Sequence, residues 1–392
     1  MRHATITIDQ TALTHNLNHV KHRIPATTKI LAMVKANAYG HGVEACLPAL
    51  QQADALGVAC FSEAQQLRSL GWNKDIVLIE GVFSENEWQQ SLQATCQSII
   101  HHHHQANWAL SHVPNVSSPC RTLWLKLNTG MNRLGFEPNE LVAVAKPLVA
   151  AGYQLILTSH FANADTPLHP SNTQQIDTFN QVLKMLKAQV DANTKASLCN
   201  SAGIINFPQC HFDWVRPGIM LYGSTPLEAV SADNLQLKPV MTFSARIMAI
   251  HHIAAGSSVG YGSRFVANRP MLKGIVSIGY GDGYPRVVDG SAWVSLHPQK
   301  LPSDTNNTAE NQSLQAYRCP VIGRVAMDMI AIDLTDVPNP QVGDRISLWG
   351  DTLKGAPSVD DIAHSAHTLG YELLCRVTQR PIRKVLTASI TE

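Results

Sequence analysis

The chain has 392 residues, of which 45% are hydrophobic and 15% are charged, and its formal net charge at pH 7 is +1. At about 150 residues per domain, this length predicts two domains, or one large barrel with a smaller partner. The charge balance argues against a nucleic-acid-binding protein, because neutralising phosphates takes a basic face that a nearly neutral chain does not suggest. The low charged fraction indicates either a surface partly hidden in a subunit interface or a large core.

The N-terminal segment alternates apolar and polar residues and then turns helical, without the apolar core of a signal peptide. No stretch approaches the roughly 20 apolar residues that a membrane helix needs. The eight cysteines lie far apart with no C-x-x-C pair, which is typical of reduced, buried thiols. The run of histidines at 101–104 has no acidic or cysteine partner, so it is not interpreted as a metal site. We therefore expect a soluble, cytoplasmic protein with no membrane segment and no metal.

The first 225 residues alternate short β-branched runs with longer amphipathic segments. Helices are predicted at 62–71 and at 138–152, the second opening at Pro138 and ending near Gly152. Alternation of this kind predicts a (β/α)8 TIM barrel, with a doubly wound open sheet as its rival. No G-x-G-x-x-G follows the first strand, so a dinucleotide site of the usual kind has no support. The eight predicted strands are 29–34, 55–60, 76–82, 97–101, 122–128, 155–160, 196–200 and 215–223.

From about residue 238 the pattern changes to strand-like runs broken by Gly, Pro and Asp, and helical periodicity returns only at 358–375. This sequence pattern predicts a separate, mostly antiparallel β domain. We place the barrel domain at 1–237 and the β domain at 238–392. The polar stretch 298–315 lacks an apolar period and is predicted to be a long, mobile surface loop between strands.

Charged and polar residues follow the carboxyl ends of the predicted barrel strands, where barrel enzymes place their working groups. Lys35 follows the apolar run ILAMV, and burial there favours the neutral amine that forms an imine with an aldehyde. A strand-end lysine that simply extends to solvent is the alternative. Glycines at 40 and 42 favour a tight loop around a ligand. The other strand-end groups are Lys126, His160, Asn200, Ser201 and Arg216.

The segment AMVKANAYGHG, residues 32–42, resembles the cofactor-lysine motif of the alanine racemases, which are pyridoxal-phosphate enzymes of the barrel type. The resemblance covers essentially the whole chain and implies an amino-acid racemase, an isomerase that interconverts L- and D-alanine. It also implies pyridoxal 5'-phosphate as cofactor, a homodimer with shared active sites, and supply of D-alanine for peptidoglycan or a role in alanine catabolism. Further segments resemble this family's motifs in the same order, at 125–136, 159–165, 199–203, 215–223, 259–265, 277–286, 323–333 and 371–377.

The resemblance implies two bases that act while the substrate is bound to the cofactor. Lys35 would hold the cofactor and then act on one face of the substrate Cα. Tyr261 would act on the opposite face, from the second subunit of the dimer. Racemisation removes a proton from one side and delivers it to the other, and two opposed bases meet that requirement.

Two cationic positions are implied to serve these bases. Arg133 would bind the substrate carboxylate beside Tyr261, because a tyrosine is a poor base at neutral pH unless a cation favours its phenolate. Lys126 matches a position that many family members carry as a carbamate, an anion able to hold that arginine. An ordinary ion-pairing lysine is the alternative for Lys126.

The remaining implied contacts surround the cofactor and the substrate. Arg216 would face the pyridine nitrogen, with His160 hydrogen-bonded to it. Met327 and Asp328 would reach the partner's site near the substrate carboxylate, and Tyr280 would narrow the entrance. The phosphate would be held by Tyr39, Ser201, Tyr371 and the backbone N–H groups of Gly218 and Ile219.

Three alternatives remain beside the alanine racemase interpretation. A racemase of the same family could act on serine, lysine or another amino acid. A single-barrel pyridoxal-phosphate carrier protein would lack the second domain, and a barrel-type decarboxylase would face the pyridine nitrogen with a carboxylate instead of Arg216. The chain also has GYGDG where the family more often has GYADG, and we expect Gly281 to loosen the entrance strand.

Overall fold

The computed structural model describes residues 4–298 and 316–387. The chain forms two compact units, which we call the barrel unit and the β unit. The barrel unit comprises residues 14–221 and 225–237. The β unit comprises residues 4–13 and 222–224 together with the described residues from 238 onward.

Eight parallel strands close into a barrel in the barrel unit, which confirms the predicted (β/α)8 fold. Closure is completed by the last strand pairing with the first, with Lys29 opposite Trp214. The strands are almost continuously apolar because the inner face lines the barrel core and the outer face packs under the helices. They are Lys29–Met33, Ala55–Val58, Asp75–Leu78, Cys96–Ile100, Thr122–Lys126, Gln154–Thr158, Lys195–Ser197 and Trp214–Val215.

The helices that alternate with these strands differ from the predictions at two points. The helix predicted from Pro138 begins at Leu141, because residues 138–140 form a turn in which Glu137 N donates to Glu140 Oε2 at 2.9 Å. The strand predicted at 215–223 is cut short by a 3₁₀ turn at Ile219–Tyr222. The α-helices of the chain's first 221 residues are Gln10–Arg23, Lys35–Tyr39, Val43–Cys46, Phe61–Ser69, Glu85–Gln93, His103–Ser111, Leu141–Ala150, Pro170–Gln189 and Ser201–Asn206.

The β unit is built on one eight-stranded sheet that is antiparallel except at one edge, as the sequence predicts. The 13-residue strand Met241–Ile253 is its centre and pairs with three neighbours. Two helices, Val359–Ser365 and Gly370–Cys375, lie within the predicted helical segment. The other strands of the sheet are Thr5–Asp9, Met271–Val276, Trp293–His297, Tyr317–Ile322, Ile330–Asp333, Arg345–Trp349 and Ile382–Leu386, and a separate ribbon pairs Ser258–Val259 with Phe265–Val266.

The first strand of the chain lies in the β unit, although the predicted boundary at residue 237 groups it with the barrel. Thr5–Asp9 is antiparallel to the central strand, with Ile6 opposite Phe243, and parallel to Ile382–Leu386. Its alternating side chains Ile6 and Ile8 are buried, which requires a sheet to cover one face. The alternation is visible in the sequence, but the partner strand more than 230 residues away is not.

The predicted surface loop at 298–315 connects two neighbouring antiparallel strands, Trp293–His297 and Tyr317–Ile322. Residues 299–315 themselves lie outside the described residues. No helix in the described part of the chain combines the length and apolar character needed to cross a membrane. Within the same residues, no group of three or more His, Cys, Asp or Glu side chains could hold a metal ion.

Candidate active site

Lys35 lies two residues beyond the end of the barrel strand Lys29–Met33, at the start of an unusual backbone turn. The four residues that follow it, 36–39, all have φ between 52° and 55°, which makes one turn of left-handed helix. This conformation costs roughly 1–2 kcal/mol for each residue that carries a Cβ. Hydrogen bonds from Ala38 N to Val34 O and from Gly40 N to Ala36 O hold it. Such a turn keeps the backbone beside the lysine in one strained conformation, as functional sites often do.

Glu63 braces this turn, and it is a residue that the sequence analysis missed. One carboxylate oxygen accepts a hydrogen bond from Ala36 N at 2.7 Å, and the other accepts from Ala59 N at 2.8 Å. The carboxylate therefore ties the residue after Lys35 to the end of the second strand. The only sequence signal is an acidic residue in the first turn of the helix Phe61–Ser69, which is common for reasons of helix electrostatics alone.

Four of the predicted phosphate-binding residues converge beyond the strand ends at 33, 197 and 215. Ser201 Oγ accepts a hydrogen bond from Gly218 N at 2.8 Å. A Cβ added at Gly218 would lie 2.5 Å from Tyr39 Oη, so only glycine leaves the hydroxyl this space. Ile219 is fully buried and can offer only its backbone. The glycine cradle beside a tyrosine and a serine hydroxyl fits the phosphate of pyridoxal phosphate.

Arg216 is 5% exposed and is held by oxygen atoms of two strand ends. Its Nη1 donates to Ser197 Oγ at 2.5 Å and to Thr158 Oγ1 at 3.2 Å. Its Nη2 donates to the carbonyls of Ser159 and Leu198. Removal from water lowers the pKa of this guanidinium to about 10, so it stays protonated at neutral pH. No carboxylate among the described residues is ion-paired with it, and its direction is set by neutral acceptors.

His160 and Lys126 complete a group of basic side chains at the same barrel mouth. Removal from water lowers the pKa of Lys126 well below its ordinary value, and Arg216 and Arg133 add to the effect. His160 lies 3.4 Å from Arg216 Nη2 through its Nδ1, as the sequence analysis expects. The pKa of His160 is also lowered well below 6.5. Removal from water is the largest cause, and the positive charges of Lys126, Arg216, Arg133 and Lys35 add to it. We call Lys35, Lys126, Arg133, His160 and Arg216 the barrel cluster.

Arg133 reaches this mouth on a loop that folds back on the strand Thr122–Lys126. Phe136 N donates to Lys126 O, and Asn128 N donates to Phe136 O, so the loop returns to its starting point. Gly135 has φ +124°, and a Cβ there would lie 2.7 Å from Asn128 N. Arg133 and Lys126 line one small pocket together with His160. The loop thus places the exposed guanidinium of Arg133 next to Lys126 and His160, two basic side chains that are removed from water.

Two amides that the sequence analysis missed hold the base of that loop. Asn128 Oδ1 accepts from Gly130 N and from Asn132 N, both at 3.1 Å. Gln175, buried on the helix Pro170–Gln189, donates to Thr129 Oγ1 and to His160 O, both at 2.9 Å. Amides in loops and helices carry no recognisable sequence pattern, so neither residue stands out in the sequence.

The β unit groups a second set of predicted residues, Tyr261, Tyr280, Met327 and Asp328, which we call the β-unit cluster. Tyr280 N and Gly281 N donate to the carbonyls of Ala326 and Met327, which places Tyr280 beside the Met327–Asp328 pair. Tyr261 lies on a neighbouring turn. Two residues before it, Val259 passes so close to Gly323 that a Cβ added at Gly323 would lie 2.7 Å from Val259 O. The side chains of Tyr261 and Met327 are 73% and 52% exposed.

Glycine makes the close approach in this cluster possible. A Cβ at Gly279 would lie 2.3 Å from Ala326 O and 2.5 Å from Met327 O, so no other residue fits there without moving the backbone. A Cβ added at Gly283, where φ is +111°, would lie 2.6 Å from Val377 Cα. Tyr371, which the sequence analysis grouped with the phosphate, lies in the β unit on the helix Gly370–Cys375 and is 38% exposed.

Comparisons with known proteins agree with this geometry. Family profiles match along most of the chain, "Alanine racemase, N-terminal domain" over residues 8–226 and "Alanine racemase, C-terminal domain" over residues 240–385. An alanine racemase from Psychrobacter sp. (strain PRwf-1) is 71% identical over 386 residues, which is 98% of this chain and 100% of that one.

Solved structures give the same result. The chain is similar to the alanine racemase from Acinetobacter baumannii, with 46% identity and a TM-score of 0.87 over 98% of this chain and 100% of that one. It is also similar to the alanine racemase from Bartonella henselae with covalently bound pyridoxal phosphate, with 28% identity and a TM-score of 0.82 over 98% and 100% of the two chains.

Proposed function

Because the chain belongs to the alanine racemase family, we propose that it interconverts L- and D-alanine by moving the Cα proton between Lys35 on one face and Tyr261 on the other. The enzyme is an isomerase, and its cofactor is pyridoxal 5'-phosphate. The observation that carries the proposal is that the barrel cluster, with its strand-end lysine and buried arginine, lies at the same barrel mouth as the glycine cradle at Gly218.

Lys35, Tyr39, Ser201 and Arg216 are the side chains that would hold the cofactor, with the backbone N–H groups of Gly218 and Ile219 and with Tyr371. The cofactor supplies an aldehyde that binds amino groups covalently and a ring that withdraws electrons from Cα. Lys35 offers the amine for that aldehyde. Arg216 would face the ring nitrogen with a proton that it keeps, which would limit how far the ring can withdraw electrons.

That limit has a chemical consequence. A ring that withdraws fewer electrons from Cα would favour return of the proton to Cα over competing reactions. Arg216 would therefore favour racemisation over decarboxylation or transamination. The neutral hydroxyl and carbonyl acceptors around the guanidinium support this role, since a carboxylate partner would reduce its positive charge toward the ring.

Arg133 would bind the substrate carboxylate and favour the phenolate of Tyr261. Lys126 lies under it with its pKa lowered, which favours the neutral amine that reacts with carbon dioxide. A carbamate there would place an anion next to the guanidinium groups of Arg133 and Arg216. We therefore extend the proposal to carbamylation of Lys126, which a mass increase and its loss on acidification would reveal.

A homodimer would bring the two bases to opposite faces of the substrate. Tyr261 is 73% exposed in a single chain, whereas a base that moves protons selectively must be shielded from water. Met327 and Met329 of the same unit are also exposed, at 52% and 41%. We propose that these side chains are covered in the dimer and that Tyr261 of one protomer serves the barrel cluster of the other.

The cellular role follows from the reaction. D-Alanine supply for peptidoglycan, or catabolism of alanine, would use this activity in the cytoplasm. Support for that location comes from the cysteines, all eight of which lie in the described residues without a disulfide. Tyr280 and Tyr371 favour a small substrate such as alanine over lysine.

The test is a racemase assay of the purified enzyme over a panel of amino acids that includes alanine, serine and lysine, with and without added pyridoxal phosphate. We expect alanine to be racemised fastest and activity to depend on the cofactor. A clear preference for a bulky or basic amino acid would contradict the assignment of alanine as the substrate. A protein that binds the cofactor but racemises nothing would behave as a carrier and overturn the proposal.

A further inference from the structure

Arg380 bridges two aspartates of the β unit that differ sharply in their surroundings. Its Nη2 donates to Asp328 Oδ1 at 2.6 Å, and its Nε lies 3.4 Å from Asp282 Oδ1. The side chain of Asp328 is 51% exposed, whereas that of Asp282 is fully buried. Asp282 also accepts from Gly279 N, which anchors it to the turn that carries Tyr280. The guanidinium therefore joins a fixed buried carboxylate to one that faces outward.

Gly281 makes room for this guanidinium. A Cβ at position 281 would lie 2.2 Å from Arg380 Nη1 and 3.0 Å from Met327 O, so the guanidinium would have to move away from its present position. Gly281 N donates to Met327 O, and Gly281 O accepts from Thr378 Oγ1, so its backbone is fixed from both sides. This differs from the expectation that Gly281 loosens the entrance strand. The glycine that departs from the family's usual alanine serves a close approach.

The charge of Asp328 matters for the substrate. Under the proposed function, the Met327–Asp328 pair lies near the carboxylate of the amino acid. Two carboxylates in one site repel each other, and each makes the other harder to keep ionised. A guanidinium hydrogen-bonded to Asp328 offsets that repulsion and fixes where the aspartate points.

We propose that Arg380 is a positioning residue for substrate binding, which neutralises and orients Asp328, and that Gly281 is the residue that lets it do so. The proposal rests on the proposed function, because it needs Asp328 near the substrate carboxylate. It assigns a purpose to the glycine in GYGDG and links it to an arginine 99 residues further along the chain.

The test compares KM and kcat for L-alanine in the holoenzyme and in the variants Gly281→Ala, Arg380→Ala and Asp328→Asn, with the double variant Gly281→Ala/Asp328→Asn. We expect KM to rise about three-fold in Gly281→Ala and about ten-fold in Arg380→Ala, with a smaller change in kcat. In the Asp328→Asn background, Gly281→Ala should change KM by less than about two-fold, because coupled residues are not additive.

The dependence of KM on salt concentration is a second measurement, and a purely structural role of Arg380 would not change it. The raised KM of Arg380→Ala should fall as ionic strength rises, because salt screens the exposed Asp328 charge. Arg269→Ala is the matched control. It removes an arginine from an exposed ion pair with Asp336 in the same unit and should leave KM unchanged.

Folding is checked for each variant by its unfolding transition, since Arg380→Ala leaves Asp282 buried without its cation. If that variant does not fold, Gly281→Ala, which removes no charge, carries the test. An unchanged KM in Gly281→Ala, or an equal rise with and without Asp328, would overturn the proposal. Failure of the proposed function is a distinct result, because the unaltered enzyme would then not racemise alanine.

Discussion

The two clusters of predicted site residues are built on opposite principles. In the barrel cluster, Arg216 is almost fully buried and held by four hydrogen bonds to strand-end oxygens, and burial changes the pKa of its neighbours. In the β-unit cluster, Tyr261 and Met327 are mostly exposed, and glycines bring the backbone segments together. The barrel cluster is therefore organised within one chain, whereas the β-unit cluster leaves its side chains exposed.

The largest effect is expected at the centre of the barrel cluster. Under the proposed function, Lys35→Ala removes the amine that would attach the cofactor, so the visible absorption of the bound cofactor should disappear and activity should fall by about 10³-fold or more. Lys195→Ala, at the exposed start of another barrel strand, is the control and should change neither. A Lys35→Ala enzyme that kept both its absorption and its activity would contradict the cofactor assignment.

The next effect tests whether the β-unit cluster supplies one base only. Tyr261→Phe removes the hydroxyl proposed to carry the proton on one face, so exchange of the Cα proton with solvent should slow by about 10²-fold or more for one enantiomer. The other enantiomer, which under the proposed function would lose its proton to Lys35, should be affected far less. Exchange is followed in heavy water by NMR, with Tyr317→Phe as control. Equal slowing of both enantiomers would count against bases on opposite faces.

A smaller effect is expected from the brace behind Lys35. Glu63→Gln keeps the length of the side chain, but its amide nitrogen cannot accept from a backbone N–H, so Ala36 or Ala59 loses its partner. We expect cofactor affinity to weaken about five-fold, measured by titrating the cofactor-free enzyme and following absorbance. Glu44→Gln, at an exposed position of the helix Val43–Cys46, should leave the affinity for the cofactor unchanged. An unaltered affinity in Glu63→Gln would show that the left-handed turn holds without it.

The smallest effect concerns stability against acid. His160 is neutral in the folded state because its pKa lies well below 6.5, whereas in the unfolded chain it takes up a proton near that pH. The unfolded state therefore binds more protons as pH falls below 6.5, and this group makes the protein less stable there. His160→Gln should reduce the loss of stability between pH 7 and pH 5.5 by about 1 kcal/mol.

Urea unfolding of the cofactor-free enzyme at the two pH values measures this difference. His22→Gln, at an exposed position, is the control and should leave the pH dependence unchanged. The same slope in the His160→Gln variant as in the unaltered enzyme would mean that His160 is protonated in the folded state, contrary to its position among cations.

Much of the barrel can be predicted because its information is local. Most of the strands are short, largely apolar runs, and the residues that follow such a run lie at the barrel mouth once the sheet closes. Strand ends thus identify Lys35, Lys126, His160, Ser201 and Arg216 from the sequence alone. The N-terminal strand is different, since the alternation in Thr5–Asp9 shows that it is a strand without showing which sheet it joins.

The architecture, the family and the order of the reactive groups along the chain can be read from the amino-acid sequence. Only the folded chain shows how those groups are held: Glu63 bonds to a backbone 27 residues away, Gln175 to a hydroxyl 46 residues away, and Arg380 to a carboxylate 52 residues away. The physical reason is that these contacts join single side chains to backbone or polar atoms of distant segments. Periodicity and motifs describe neighbours in sequence, and such contacts leave no trace there until the chain is folded.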